Sequence, residues 1–173
     1  MFKVNDAVFY GVHGVCTVSD ISKREFCGTV SDYYTLKPVY SHRSTVFVPV
    51  SKAGTAAKMR KVLSKEEVYE VIGSLPMCES VWVDDDSARK EKYAGILKNG
   101  SANQLAGLIK TLYDQKKELA LKNKKMHAAD ERTLAEAEKM LNEEFAYALD
   151  IDKESVIPFI SEQLGKLEEE TVR

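Results

Sequence analysis

The hydrophobic pattern of the chain changes its period between residues 50 and 60, and this change constrains the fold most. Before it, β-branched and aromatic residues alternate with polar ones in short runs that Gly, Asn, Asp and Ser interrupt. After it, apolar residues recur at the spacing of amphipathic helices. The sequence therefore predicts an α+β protein of two domains: a β domain over 1–52, a linker over 53–63, a helical domain over 64–165 and an acidic tail over 166–173.

Short alternating runs in the first domain predict its strands. They lie at 7–10, 15–18, 33–36 and 45–48. About five such strands in fifty residues can form only a small β-barrel or a strongly bent sheet. The last strand is expected to leave an edge of that sheet open.

Start and stop signals in the second domain predict about five helices in a compact all-α arrangement. At 64–67, Ser64 and Glu67 can bond each other's backbone amides as a capping box, and Pro76 ends the helix that follows. The second helix is predicted to begin at Asp86 or Ser87 and to end in a left-handed turn at 99–100. A capping box at 101–104 precedes the third helix. Asp130 lies near the start of the fourth helix, and Asp152 caps the fifth.

Catalytic and metal-binding patterns are missing from the sequence. His13, His42 and His127 fall in separate elements, without the partners that a catalytic triad needs nearby. The run 84–86 has three carboxylates, but their position before a helix favours a helix start over a metal site. There is no phosphate-binding glycine motif and no CxxC pair. We expect no enzyme activity, no cofactor and no bound metal.

The sequence also carries no signal for a membrane or for export. No run of about 18 apolar residues is present, and the first residues lack the profile of a signal peptide. Three widely spaced cysteines fit a reducing compartment. We therefore expect a cytoplasmic protein.

Basic residues are clustered, although the chain as a whole carries a net charge of only −2. Clusters lie at 58–65, 89–98 and 110–125. Such clusters suit a phosphate backbone, or they are simply solvated helix surfaces. The candidate DNA contacts are Arg89, Lys90, Lys92, Lys124 and Lys125.

Residues 2–15, FKVNDAVFYGVHGV, resemble the opening of the CarD/CdnL family of bacterial transcription regulators, whose pattern is F-x-x-G-D-x-V-V-Y-P-x-H-G-V-G. The resemblance continues at 33–37 and 45–50. It implies a Tudor-like (SH3-like) barrel that binds the β-subunit lobe of RNA polymerase holoenzyme. It also implies a helical domain that contacts promoter DNA at the upstream edge of the bubble and stabilises the open complex, with a tryptophan wedged in the minor groove.

The open edge and the resemblance together assign a polymerase-binding site. Its candidate residues are Arg24, Thr45, Val46, Phe47, Val48 and Pro49. The family places arginines at positions 24 and 47, so Phe47 makes this site more apolar than the pattern implies.

Trp82, the single tryptophan, is the candidate wedge. It lies seven residues before Arg89, whereas the family pattern has about two, so a core role for the ring is the alternative. For the whole protein we expect a monomer that binds duplex or fork-junction DNA with little sequence preference. A protein-only adaptor with a strand-binding barrel and no DNA contact is the alternative function.

Overall fold

The computed structural model describes residues 1–41, 44–51 and 58–171, and the side chains of 168, 170 and 171 are not described. The chain divides into two compact units, Met1–Val62 and Leu63–Arg173. We call them the β unit and the helical unit. The predicted α+β fold with two domains is confirmed.

The β unit is an antiparallel sheet of five strands. They are β1 (Ala7–Tyr10), β2 (Val15–Phe26), β3 (Thr29–Pro38), β4 (Val46–Pro49) and β5 (Met59–Lys61). Their order is β4-β3-β2-β1-β5, and no pairing between described residues joins β4 to β5. The sheet is therefore open between its two edge strands within the part of the chain that the structure describes.

Two features of the sheet differ from the sequence pattern. Strands β2 and β3 form a much longer hairpin than the runs at 15–18 and 33–36 indicate, joined at Cys27 and Gly28, which both have positive φ. Such paired left-handed residues match the twist of a hairpin. In addition, three residues of the predicted linker form β5, which is too short to show an alternating pattern. Residues 53–57 of that linker lie outside the described residues.

The core of the β unit is built from every second residue of its strands. Its buried members are Val8, Cys16, Val18, Tyr34, Leu36, Val48 and Met59. Because side chains alternate across a strand, the neighbours of these residues lie on the opposite face of the sheet.

The described residues of the helical unit form five α-helices, in agreement with the predicted number. They are α1 (Lys65–Ser74), α2 (Asp86–Asn99), α3 (Ala102–Leu121), α4 (Ala128–Leu149) and α5 (Val156–Thr171). Both predicted capping boxes are formed, at Ser64 with Glu67 and at Ser101 with Gln104. No helix in the described ranges is both long enough and apolar enough to cross a membrane.

Several predicted boundaries were wrong by a few residues. Asp85, and neither Asp86 nor Ser87, caps α2, since its Oδ1 accepts from the Ala88 amide at 2.7 Å. Gly100 is not left-handed, because its φ is −68°. Asp152 precedes a 3₁₀ turn, Lys153–Ser155, and α5 begins only at Val156. The segment 166–171, expected in the acidic tail, continues α5.

Candidate functional site

Where β2, β3 and β4 pair, the sheet carries exposed and half-buried aromatic rings on the face opposite its core. The register pairs Tyr33 with Pro49 and Thr35 with Phe47, so these residues alternate with core residues of β3 and β4. Phe26 lies 4.9 Å from Tyr33 and 6.3 Å from Phe47, measured between ring centroids. We call this surface the outer face and define it by Arg24, Phe26, Tyr33, Phe47 and Pro49.

Arg24 lies on the outer face with unused hydrogen-bonding capacity. Its guanidinium carbon is 4.2 Å from the centroid of the Phe47 ring. Its Nη2 donates to Thr35 Oγ1 at the long distance of 3.4 Å. Its Nε is buried and has no hydrogen-bond partner among the described residues. A guanidinium has five N–H donors, and the hydrogen bond to Thr35 uses only one of those of Arg24.

The predicted polymerase-binding segment 45–49 divides between the two faces of the sheet. Phe47 is 39% exposed, and Pro49 is partly exposed beside Tyr33. Val48 is fully buried and Val46 is half-buried against the same core, so their side chains lie on the face opposite to Phe47 and Pro49. Both valines belong to the candidate segment because a run of apolar residues does not show which face is the core.

Two outer-face residues were missed by the sequence analysis. Phe26 is 45% exposed, and Tyr33 lies opposite Ser22 across the β2–β3 ladder. The signal that could have identified them is the Cys27-Gly28 turn, which fixes the register of the hairpin and thereby the facing of every residue in it.

A second candidate site lies before α2 and contains the only tryptophan. The guanidinium carbon of Arg89 is 4.4 Å from the centroid of the Trp82 ring. The indole Nε1 donates to Asp84 Oδ1 at 2.9 Å. Trp82 is partly exposed, so part of its ring is open to solvent while the rest packs against its neighbours. We call Trp82, Asp84, Arg89 and Asp130 the Trp82 corner.

Arg89 is a buried member of that corner. It is 4% exposed. Its Nε and Nη2 donate to the two carboxylate oxygens of Asp130 at 3.3 and 3.1 Å, and Nη2 also donates to Asp86 at 2.6 Å. Its Nη1 donates to the carbonyl oxygens of Val83 and Asp84. A DNA phosphate would have to displace these acceptors, so Arg89 is removed from the candidate DNA contacts.

The three consecutive aspartates act separately. Asp84 accepts from the indole, Asp85 caps α2 and Asp86 binds Arg89. This run does start a helix, as the sequence indicated. In addition, the carboxylates of Asp84 and Asp86 bind Trp82 and Arg89 in the Trp82 corner.

Burial also raises the pKa of the tyrosine beside the ion pair of Arg89 and Asp130. Tyr93 of α2 is 1% exposed, and its hydroxyl has no hydrogen-bond partner among the described residues. Burial and the charge of Asp130 raise the pKa of Tyr93 to about 12, so the hydroxyl stays protonated and neutral.

The remaining candidate DNA contacts are exposed lysines. Lys90 and Lys92 lie on α2, and Lys124 and Lys125 lie in the segment between α3 and α4. Asp130 is in the first turn of α4, so Lys125 is only five residues from a member of the Trp82 corner. Five residues span at most about 18 Å, which limits the distance between the Cα atoms of Lys125 and Asp130.

Two family models match the chain. The model described as CarD-like/TRCF RID domain matches residues 2–63, where RID denotes the RNA polymerase-interacting domain. The model described as CarD, C-terminal domain, matches residues 67–161, which is more than half of the chain. The two matches correspond to the β unit and the helical unit.

Proposed function

The chain belongs to the CarD family of RNA polymerase-interacting transcription regulators, and from that membership we propose a division of labour between its units. The β unit binds the β-subunit lobe of the polymerase through its outer face and the free edge of β4. The helical unit contacts promoter DNA at the upstream edge of the bubble and stabilises the open complex. The protein acts in the cytoplasm as a monomer on the polymerase.

The observation that carries this proposal is the exposed aromatic cluster on the outer face. Phe26 and Phe47 present large apolar surfaces to solvent beside an edge strand. Clustered exposed aromatics are typical of interaction sites, and a free strand edge can accept a partner strand through backbone hydrogen bonds. Arg24 adds a partly exposed cation to the same face.

The helical unit supports a DNA contact through exposed positive charge near a partly exposed indole. Lys90, Lys92, Lys124 and Lys125 are all solvent-exposed. Lysines neutralise phosphates without reading bases, which predicts binding with little sequence preference. Trp82 adds a ring that can stack on or wedge against a base.

Binding to purified polymerase lobe tests the role of the outer face. Phe47→Asp places a carboxylate in a partly apolar contact, and we expect the affinity to fall by at least about 30-fold, the loss typical of a central aromatic contact. Val12→Asp is the matched control, because Val12 is also an exposed apolar residue of the β unit and lies outside the outer face. Equal affinity of Phe47→Asp and wild type, with circular dichroism unchanged, would contradict the assignment.

The salt dependence of binding to fork-junction DNA tests the role of the helical unit. Contacts to several phosphates lose affinity steeply between 50 and 200 mM salt because counterions are released on binding. A full-length protein that shows no DNA binding at low salt would instead favour the protein-only adaptor.

A further inference from the structure

The structure assigns to Arg89 a role as the positioning residue for Trp82: it fixes the indole at the surface of the helical unit before DNA is bound. This inference rests on the proposed contact between the Trp82 corner and DNA. It concerns the orientation of the ring, which can be measured without DNA.

Two contacts hold the indole in the Trp82 corner. The guanidinium of Arg89 stacks over the ring at 4.4 Å, and Asp84 accepts the indole N–H at 2.9 Å. A cation over the face of a tryptophan is attracted by the ring's negative quadrupole. Together, a contact on the face and a contact at the edge restrict both the tilt and the rotation of the ring.

Arg89 itself is fixed by its hydrogen bonds. All three of its side-chain nitrogens donate, to the carboxylates of Asp86 and Asp130 and to two backbone carbonyls. A guanidinium is planar and rigid, so these bonds determine the plane on which the indole stacks. The ion pair with Asp130 spans 41 residues and joins the start of α2 to the start of α4.

The backbone on both sides of Trp82 is anchored as well. Arg89 binds the carbonyls of Val83 and Asp84, the two residues that follow the tryptophan. The amide of Val81, the residue before it, donates to Thr111 Oγ1 of α3 at 3.0 Å. Thr111 is buried. The ring therefore projects from a segment that is tied to two helices.

Because Arg89 is buried and covers one face of the indole, the exposed part of the ring lies on its other face and its rim. The tryptophan can then stack on one base without losing its support. A ring that is already oriented avoids the entropy cost of ordering a mobile side chain during binding. The bonds from Arg89 to the carbonyls of Val83 and Asp84 bring Trp82 against Arg89, although the two lie seven residues apart along the chain.

The single tryptophan makes the inference directly testable, since the intrinsic tryptophan fluorescence of the full chain comes from Trp82 alone. Arg89→Lys keeps the positive charge but loses the planar stacking and the forked hydrogen bonds. We expect lower fluorescence anisotropy, at least twofold stronger quenching by acrylamide, and a several-fold loss of affinity for fork-junction DNA. Lys98→Arg, an exposed charge-conserving change on the same helix, is the control and should leave all three unchanged.

Asp130→Asn provides the same test should Arg89→Lys fail to fold, because it keeps the shape of the acceptor while removing its charge. Unchanged anisotropy and quenching in a folded Arg89→Lys or Asp130→Asn protein would overturn the positioning role. Trp82→Ala separates the two claims: if it binds fork-junction DNA as tightly as wild type, the proposed DNA contact of the ring fails, while the fluorescence result still decides whether Arg89 holds the indole.

Discussion

The β unit and the helical unit each stack an arginine on an aromatic ring, with opposite consequences. Arg24 lies 4.2 Å from the ring of Phe47, and Arg89 lies 4.4 Å from the ring of Trp82. Arg24 makes one long hydrogen bond and leaves a buried Nε without a partner among the described residues. Arg89 is buried and donates from every side-chain nitrogen.

The difference shows that a cation–π pair has no fixed role. In the β unit the arginine retains donors, so both the ring and the cation can serve a partner. In the helical unit every side-chain nitrogen of Arg89 already donates to an acceptor of its own chain, so the ring of Trp82 is the part of the pair that can contact a ligand. The two pairs therefore differ in the saturation of the arginine's hydrogen bonds rather than in the stacking distance.

Removing the acceptor of the buried arginine should have the largest effect. Asp130→Ala leaves the charge of Arg89 partly uncompensated in the interior, and we expect the free energy of unfolding to fall by about 3–5 kcal/mol. Urea denaturation of the full chain measures it. The counterpart in the β unit, Thr35→Val, removes only a long hydrogen bond and should cost about 1 kcal/mol or less. If both variants lost the same free energy of unfolding, the Arg24–Phe47 and Arg89–Trp82 pairs would not differ in how firmly their arginines are held.

Arg24→Ala should have a smaller effect, on binding rather than on folding. The side chain is partly exposed and weakly bonded, so the free energy of unfolding should change by less than about 1 kcal/mol. Affinity for the polymerase lobe should fall about tenfold, or about 1.4 kcal/mol, because the partner loses a charged donor. A large loss of stability with unchanged affinity would make Arg24 a structural arginine like Arg89.

The lysines near the Trp82 corner provide the third test. Lys124→Ala/Lys125→Ala should reduce the slope of log affinity against log salt by about 2, since each phosphate contact contributes about 0.9. Thermal stability should stay close to that of the wild type. Lys116→Ala/Lys117→Ala removes the same charge from exposed positions on α3 and is the control. If the two double variants show the same slope, the lysines act through net charge alone.

The smallest expected effect concerns a second buried charge of the helical unit. Burial raises the pKa of Glu143, and the nearby charges of Lys139 and Lys153 only partly offset this. A carboxyl whose pKa is raised on folding favours the folded state below its unfolded pKa, and that contribution is lost as the pH rises through the folded pKa. Glu143→Gln should therefore stabilise the protein at pH 7 by less than about 1 kcal/mol, and the gain should vanish below about pH 4.

Thermal denaturation at both pH values measures this difference. Glu70→Gln on α1 is the control, because Glu70 is exposed. A stabilisation of Glu143→Gln that is the same at pH 4 and pH 7 would show that the gain does not come from the titration of this carboxyl.

Local signals predicted the parts of the fold that depend on neighbouring residues. The capping boxes at Ser64 and Ser101 formed as expected because their partners are three residues away. The facing of Phe47 and Val48 required the register of β4 on β3, which no local pattern specifies. The burial of Arg89 depends on Asp130, 41 residues later, so the sequence alone indicated an ordinary surface charge.

The free edge of β4 carries its own protection against self-association. Val50 donates its amide to Asp32 of β3 at 2.9 Å, so by alternation the backbone nitrogens of Phe47 and Pro49 point to the free edge. A proline nitrogen has no hydrogen to donate. Within β4 the free edge thus offers one amide donor, that of Phe47, beside the carbonyl acceptors of Phe47 and Pro49. A partner strand can form a short ladder there, but a ladder cannot propagate from copy to copy. Proline at a strand edge is a common safeguard against fibril-like stacking, and here it stands beside exposed aromatic rings that would otherwise favour such stacking.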